Sequence, residues 1–332
     1  MPDKKVWVTM LPKSFRTELL RSLRAAVESK LLHSILKEHF SKEIIKFGES
    51  MSIHTTFKTG GVCDAMIIPD NVNDIRRLVK LCNSENIPLT VIGNGSNLLV
   101  RDGGIRGVVL KIFDNFCYTT INDNTITAQA GSLLSSIAYK AMNKSLTGLE
   151  FASGIPGTVG GGVVMNAGAY GGELKDILSY SVYIDKKGDI IRIGNAEHGF
   201  GYRKSMFSDS ESILIESAFH LKRGNRTDIK SRMADLNRRR REKQPLTIPN
   251  AGSAFKRPEG YYAGALIQES GLMGARFGGV CVSNKHAGFI VNDKNGTSED
   301  VEMLMEYVIK TVYNKTGVEL KPEIKIVGEM NK

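Results

Sequence analysis

Two dense groups of glycines constrain this chain more than any other feature. The first, Gly93-Asn94-Gly95-Ser96-Asn97, directly follows an apolar run at 88–92 that reads as a strand. The second sets Gly154, Gly157, Gly160, Gly161 and Gly162 within nine residues, and Asn166, Gly168 and Gly171 continue it. Glycine lets the backbone turn tightly and bring N–H groups against an anion. The first group is not a Walker A loop, because no Gly-Lys-Ser/Thr follows. Nor does it open a dinucleotide helix, because Leu98 stands where G-x-G-x-x-G needs its third Gly. Alone, the first group also fits a tight turn and the second an inert close-packed crossover. Paired, they read as two backbone walls around one flat, anionic cofactor.

The chain has 332 residues, enough for two domains. Residues 1–50 read as an N-terminal helical lead, with helix over 17–46. A cofactor domain follows over 51–225, in two subdomains at about 51–92 and 93–225. The polar stretch at 222–226 then marks a boundary, and 226–332 form a last domain opened by a charged helix over 227–243. A helix over 72–85 sets Ile75, Leu78, Val79 and Cys82 on one face. Asp185-Lys186-Lys187-Gly188 reads as a hairpin turn. Short mixed units in place of regular βαβα alternation give an α+β class.

Several function classes are disfavoured. No run of 18 apolar residues exists, so a membrane span is not expected. Arg21 and Arg24 interrupt the stretch where a secretory signal needs its apolar segment. Four Cys form no CxxC pair and six His no H-E-x-x-H, so no metal site is expected, and a reducing compartment is the simplest reading. The net charge of +10 favours anionic partners. The aromatics do not interleave with a basic stripe, which argues against nucleic acid.

Three polar motifs stand apart from the glycines. Arg203 lies among aromatic and apolar neighbours in the segment 201–207, and its planar fork suits a carboxylate. Ser253 sits beside Gly252 and before Lys256 and Arg257. Residues 320–326 read as a short strand whose alternation puts Glu323 and Lys325 on one face. A solvated turn, an ordinary serine turn and an exposed edge would explain each one singly. His286 reads as a structural or phosphate-contact residue.

Taken together, Thr55-Thr56-Phe57-Lys58-Thr59-Gly60-Gly61, Gly93 to Val100, Gly154-Ile155-Pro156-Gly157, Asn166 to Gly171, Tyr202-Arg203, Gly252 to Lys256 and Pro322-Glu323-Ile324 resemble one family in order. This is the UDP-N-acetylenolpyruvoylglucosamine reductase (MurB) family, in its second form lacking the tyrosine-bearing substrate loop. The resemblance implies an FAD-binding fold of the vanillyl-alcohol oxidase type, in two α+β subdomains, plus a separate α+β substrate-binding domain. It implies non-covalent FAD, NADPH as co-substrate, and a UDP-sugar enolpyruvyl ether reduced in the cytoplasm for peptidoglycan synthesis, by a monomer. The implied catalytic residues are Arg203, Ser253 and Glu323. The implied flavin contacts are Gly93, Asn94, Gly95, Ser96, Asn97, Leu98, Gly154, Ile155, Pro156, Gly157, Gly160, Gly161, Asn166 and Gly168. Tyr202, Lys256, Arg257, Gln268 and Lys325 are implied to hold substrate, and part of Arg238 to Arg241 to line the approach of UDP. Arg257 stands where many relatives have asparagine. Another flavin oxidoreductase of the same fold and a non-catalytic phospholigand-binding module remain as alternatives.

Overall fold

The computed structural model describes residues 28–331. Helix α1 (28–39) buries Leu32 and Leu36. The part of the expected 17–46 helix before residue 28 lies outside the described residues. Its far end is corrected: Ile45–Ser50 is a strand, β1, paired antiparallel with β2 (Val62–Ile67) in the register Ile45↔Ile67. Ile44 and Ile45 are β-branched and Gly48 takes φ +62, so the stretch favours extended chain over helix.

Asn71 then caps α2 (Val72–Ser84) by accepting from the Asp74 N–H. The helix buries Ile75, Leu78, Val79 and Cys82, the face expected from their spacing. It leads to β3 (Leu89–Ile92), β4 (Leu98–Val100) and β5 (Ile105–Lys111). The first sheet has the order β1-β2-β5-β3, with β5 parallel to both neighbours. Because β5 lies between β2 and β3, the expected subdomain division at 92/93 cuts this sheet, which runs on to residue 111. Alternation along β2 sends Ala65 and Ile67 into the large core and Met66 into a small one beneath the first glycine group.

The second sheet is wholly antiparallel. It comprises β6 (Thr119–Asn122), β7 (Thr125–Gln129), β8 (Leu178–Ile184), β9 (Ile190–Gly194) and β10 (Ile213–His220), in the order β9-β8-β10-β7-β6. The expected hairpin at Asp185 to Gly188 joins β8 to β9, with Gly188 at φ +85. Helices α3 (Leu134–Asn143) and α4 (Val159–Val164) pack into the same large core.

Helix α5 (Arg226–Lys243) corrects the expected boundary at residue 226. Its Ile229 and Met233 join the large core, and Asn237 donates to the Ser153 hydroxyl at 3.1 Å. The C-terminal core is therefore built mainly from residues after α5. It holds α6 (Ala263–Glu269), the small antiparallel sheet β11-β12-β13 (Arg276–Phe277, Val280–Val282, Ile290–Asn292) and α7 (Ser298–Thr316). The last strand, β14 (Lys325–Val327), crosses back and pairs parallel with β4.

Several ties reinforce that crossing. Phe57 and Leu99 come from the first part of the chain but lie fully buried in the C-terminal core. Arg101 forks onto both Glu302 oxygens at 2.9 and 2.8 Å. Asp102 accepts from the Ser298 N–H and hydroxyl at the start of α7, where carboxylates are favoured. Among the described residues no helix is long and apolar enough to cross a membrane.

Phe57 thus acts as a plug between the two cores. Phe57→Ala is expected to cost ~3–5 kcal/mol, the usual scale for truncating a buried Phe. Urea unfolding followed by circular dichroism checks this; a midpoint unchanged from wild type would refute the plug.

Candidate active site

The first glycine group forms an open turn at the C-terminal end of β3. Gly95 has φ +64, and a Cβ there would lie 2.1 Å from the His54 carbonyl oxygen. No protein acceptor takes the N–H groups of residues 93–97 among the described residues. Five free amides on one glycine-rich turn form a nest suited to an anion. The second group stands against it. Asn94 donates from Nδ2 to the Pro156 carbonyl at 2.5 Å, and a Cβ on Gly93 would lie 2.5 Å from the Thr158 hydroxyl.

The remaining expected flavin contacts divide by what their polar groups already do. Gly160 N–H donates to Ala130 O and Gly161 N–H to the Thr158 hydroxyl, so these two glycines serve close packing of α4. Asn166 is buried at φ +44, and its whole amide is used internally. Nδ2 donates to Glu173 Oε2 and to Gly201 O, and Oδ1 accepts from Lys175 N–H. Its side chain therefore braces the Arg203 loop and is not left for a ligand. Gly168 offers its carbonyl to Arg203 Nη2 at 3.4 Å. A cation stands beside Gly154 that the sequence did not mark. Arg240 packs against it, and its Nε is buried with no partner among the described residues. Burial pulls that guanidinium below the ordinary arginine value. Free amides at one end and an orphaned buried Nε at the other fit a flat ligand with an anionic tail.

Arg203, Ser253 and Glu323 converge on the wall of a cavity of about 510 Å³ that Tyr202, Arg257 and Gln268 also line. Arg203 occupies the turn 201–204 at φ +55, rare for a side chain of its size. Its Nε donates to Glu323 Oε1 at 2.6 Å, while Nη1 has no protein acceptor among the described residues. Glu323 is fixed through its backbone: its N–H donates to Ala254 O, and its carbonyl accepts from Asn97 Nδ2 at 3.1 Å. Ser253 follows Gly252, which holds φ +78, and its hydroxyl has no protein partner among the described residues. Thr56 secures this loop from the cofactor side, donating to Asn250 O at 2.6 Å.

Lys256 and Lys325 fall outside the cavity lining. Ser253, Phe255 and Arg257 alternate toward the cavity, so Lys256 points the other way. β14 begins only at Lys325, so no strand alternation relates that residue to Glu323; its ammonium donates to Ser208 O at 3.0 Å. Arg238 to Arg241 do not line the cavity either. Arg238 and Arg239 pair with Asp235, and it is Lys243, with Lys285, that brings positive charge to the wall. Lys243 lies two residues past the Arg run, which was the available signal; Tyr262 and Lys285 carried none. His286 completes the wall. It accepts from Gly288 N–H at Nδ1, and burial with Lys243 nearby holds its pKa down.

A family model described as the FAD binding domain matches residues 63–194, and one for the C-terminal domain of UDP-N-acetylenolpyruvoylglucosamine reductase matches 244–327. The reductase of Caldanaerobacter subterraneus subsp. tengcongensis is 49% identical, over 87% of this chain and 97% of its own length. That of Staphylococcus aureus (strain COL) is 44% identical, over 91% and 98%. The chain belongs to the UDP-N-acetylenolpyruvoylglucosamine reductase family. The crystal structure of MurB from Thermus caldophilus superposes with a TM-score of 0.72 at 32% identity, covering 85% of this chain and 97% of that one. The fold is thus the α+β FAD-binding architecture with a separate C-terminal domain, and the nest at 93–97 and the Arg203–Ser253–Glu323 cavity belong to a MurB-family scaffold.

Two predictions follow from this geometry. Gly95→Ala would push a methyl group into the His54 carbonyl and strain φ, so the purified variant should hold FAD at least ~10-fold more weakly, read from its flavin absorbance after gel filtration. Second, burial holds His54, His198 and His286 below the ordinary histidine value. Their stabilising contribution is full above the unfolded pKa of about 6.5 and is lost as pH falls toward the folded values, because the unfolded chain then binds more protons. Melting temperature should fall between pH 7 and 5; constancy over that range would contradict it.

Proposed function

We propose that this chain reduces the enolpyruvyl ether of a UDP-sugar with NADPH, as a monomer in the cytoplasm, in the making of peptidoglycan precursors. The observation that carries the reading is the convergence of a fork, a hydroxyl and a carboxylate from three distant segments on one cavity. Family membership supplies the reaction.

FAD, when bound non-covalently along the two glycine groups, supplies the relay of hydride from NADPH to C3 of the enolpyruvyl group. Residues 93–97 would hold its anionic part with their free amides, and Arg240 would add charge beside Gly154. The buried thiols are poor nucleophiles here, since burial pushes Cys63 up to about 11 and Cys82 up to about 12.

Negative charge develops on C2 and its carboxylate as C3 is reduced. Arg203 stabilises it with the Nη1 edge left free by the Glu323 contact, a charge-assisted interaction in a partly desolvated wall. Ser253 delivers the proton to C2, a task suited to a weak acid only beside a carbanion of high proton affinity. Glu323 acts by holding Arg203 Nε, so its part is orientation. Tyr202, Arg257 and Gln268 bind substrate. Arg257 is latched by three contacts: its backbone N–H donates to the Tyr202 hydroxyl, its Nε donates to Tyr261 O at 3.2 Å, and its guanidinium lies 4.0 Å over the Tyr262 ring. Lys243 and Lys285 bring charge suited to the diphosphate.

Ser253→Ala tests the assignment. NADPH should still bleach the flavin at the wild-type rate, since that step needs no substrate proton. Reoxidation by the enolpyruvyl UDP-sugar should slow at least ~10²-fold, the scale of a lost proton donor. Stopped-flow absorbance resolves both halves. Unchanged reoxidation would remove Ser253 from the mechanism, and a wild-type protein that ignores the substrate would remove the proposed reaction.

A further inference from the structure

A chain of buried polar side chains lies behind the Arg203 turn, outside the cavity. His198 is fully buried between β8, β10 and the end of β9. Its Nδ1 is 2.8 Å from Gly194 O, and its Nε2 is 2.8 Å from the Ser181 hydroxyl, which lies 2.8 Å from the Ser217 hydroxyl. A carbonyl only accepts, so Nδ1 carries the proton. Full burial disfavours the imidazolium, so Nε2 accepts from Ser181 O–H, and Ser181 in turn accepts from Ser217 O–H. The relay has one polarity and leaves His198 neutral. No opening reaches it, so it is not a second reactive site.

What leaves His198 is the segment that ends at Arg203. Phe200 stacks on the imidazole at 4.8 Å and 14°, and Phe207 meets it edge-on at 5.7 Å. The His198 carbonyl accepts from Met206 N–H at 2.7 Å. Between these supports, Gly201 and Lys204 exchange backbone hydrogen bonds at 3.0 and 3.3 Å and force Arg203 to φ +55. A non-glycine residue held in that region is strained and persists only where its surroundings fix it. Asn166 and Ser205 tie the loop to α4 and its flank, through Gly201 O and Val164 O. His198, through Ser181, and Phe207, edge-on to Tyr183 at 5.2 Å, tie it to β8 of the second sheet.

We infer that His198 is a positioning residue for Arg203. Its ring and its two hydrogen bonds clamp both ends of the 199–207 loop, so that the guanidinium meets Glu323 through Nε and keeps Nη1 for the ligand. The inference rests on the reading of Arg203 given above.

A double-mutant cycle tests it on the FAD-loaded enzyme. In His198→Phe the ring stays and both hydrogen bonds go. The kcat per bound flavin should fall about tenfold, with the KM and the rate of flavin reduction by NADPH little changed. In an Arg203→Ala background the same substitution should cost less than twofold, because coupled residues are non-additive. A purely structural histidine would cost the same in both backgrounds, and that result overturns the inference. Phe200→Leu, read in the same cycle, replaces His198→Phe if the latter does not fold. A readout independent of turnover keeps the inference separable from the proposed reaction: hydrogen exchange at Arg203 Nε, followed by ¹⁵N NMR of the holoenzyme, should quicken at least tenfold in either variant. Unaltered exchange overturns the inference even if the substrate proves to be another.

Discussion

The site depends on Asn97. Its side chain donates to the Glu323 carbonyl, and its own carbonyl accepts from Lys325 N–H. Through this one residue the turn that offers amides to a flavin also fixes the carboxylate that holds Arg203. The cofactor wall and the catalytic wall are therefore one rigid piece, and the distance between them is set by backbone hydrogen bonds and not by long side chains. The Asn97 side chain braces Glu323 while its backbone pairs with β14, so the residue has little freedom to lose.

The arrangement around Asn97 explains why two hydrophobic cores behave as one frame. Phe57 and Leu99 enter the C-terminal core while the chain on either side of them builds the cofactor side. Arg101 and Asp102 then grip α7 by a forked ion pair and a helix cap. Such contacts confine both halves to one orientation, which a cavity shared between them requires. Preorganised donors act on developing charge without having to reorganise during reaction.

Much of the site was legible because its motifs depend on local backbone chemistry. Gly95 and Gly252 must adopt positive φ, and glycine there is visible in sequence. The order of seven short motifs then picked out Arg203, Ser253 and Glu323. Other features were hidden for physical reasons. Helix α5 is so charged that Ile229, Met233 and Leu236 do not stand out as a packing face, and it was placed in the wrong core. The side chains of Asn94 and Asn166 bond carbonyls and a carboxylate of the protein, and nothing in a sequence tells whether an amide faces a cofactor or its own chain. Lys256 was lost to alternation, which turns it away from the face of Ser253 and Arg257, and Lys325 because the strand begins only there, so alternation does not carry back to Glu323.

The parallel pairing of β14 with β4 has a consequence for how the protein is made. Asn97 and the Glu323 it holds are 226 residues apart. Closing so long a loop costs chain entropy before any contact rewards it, whereas α2 or the β8–β9 hairpin closes locally. The catalytic geometry is thus among the least local parts of the fold, and on a ribosome it cannot exist until residue 323 has emerged. A partly synthesised chain can own the amide nest, but it has no Glu323 and hence no oriented Arg203.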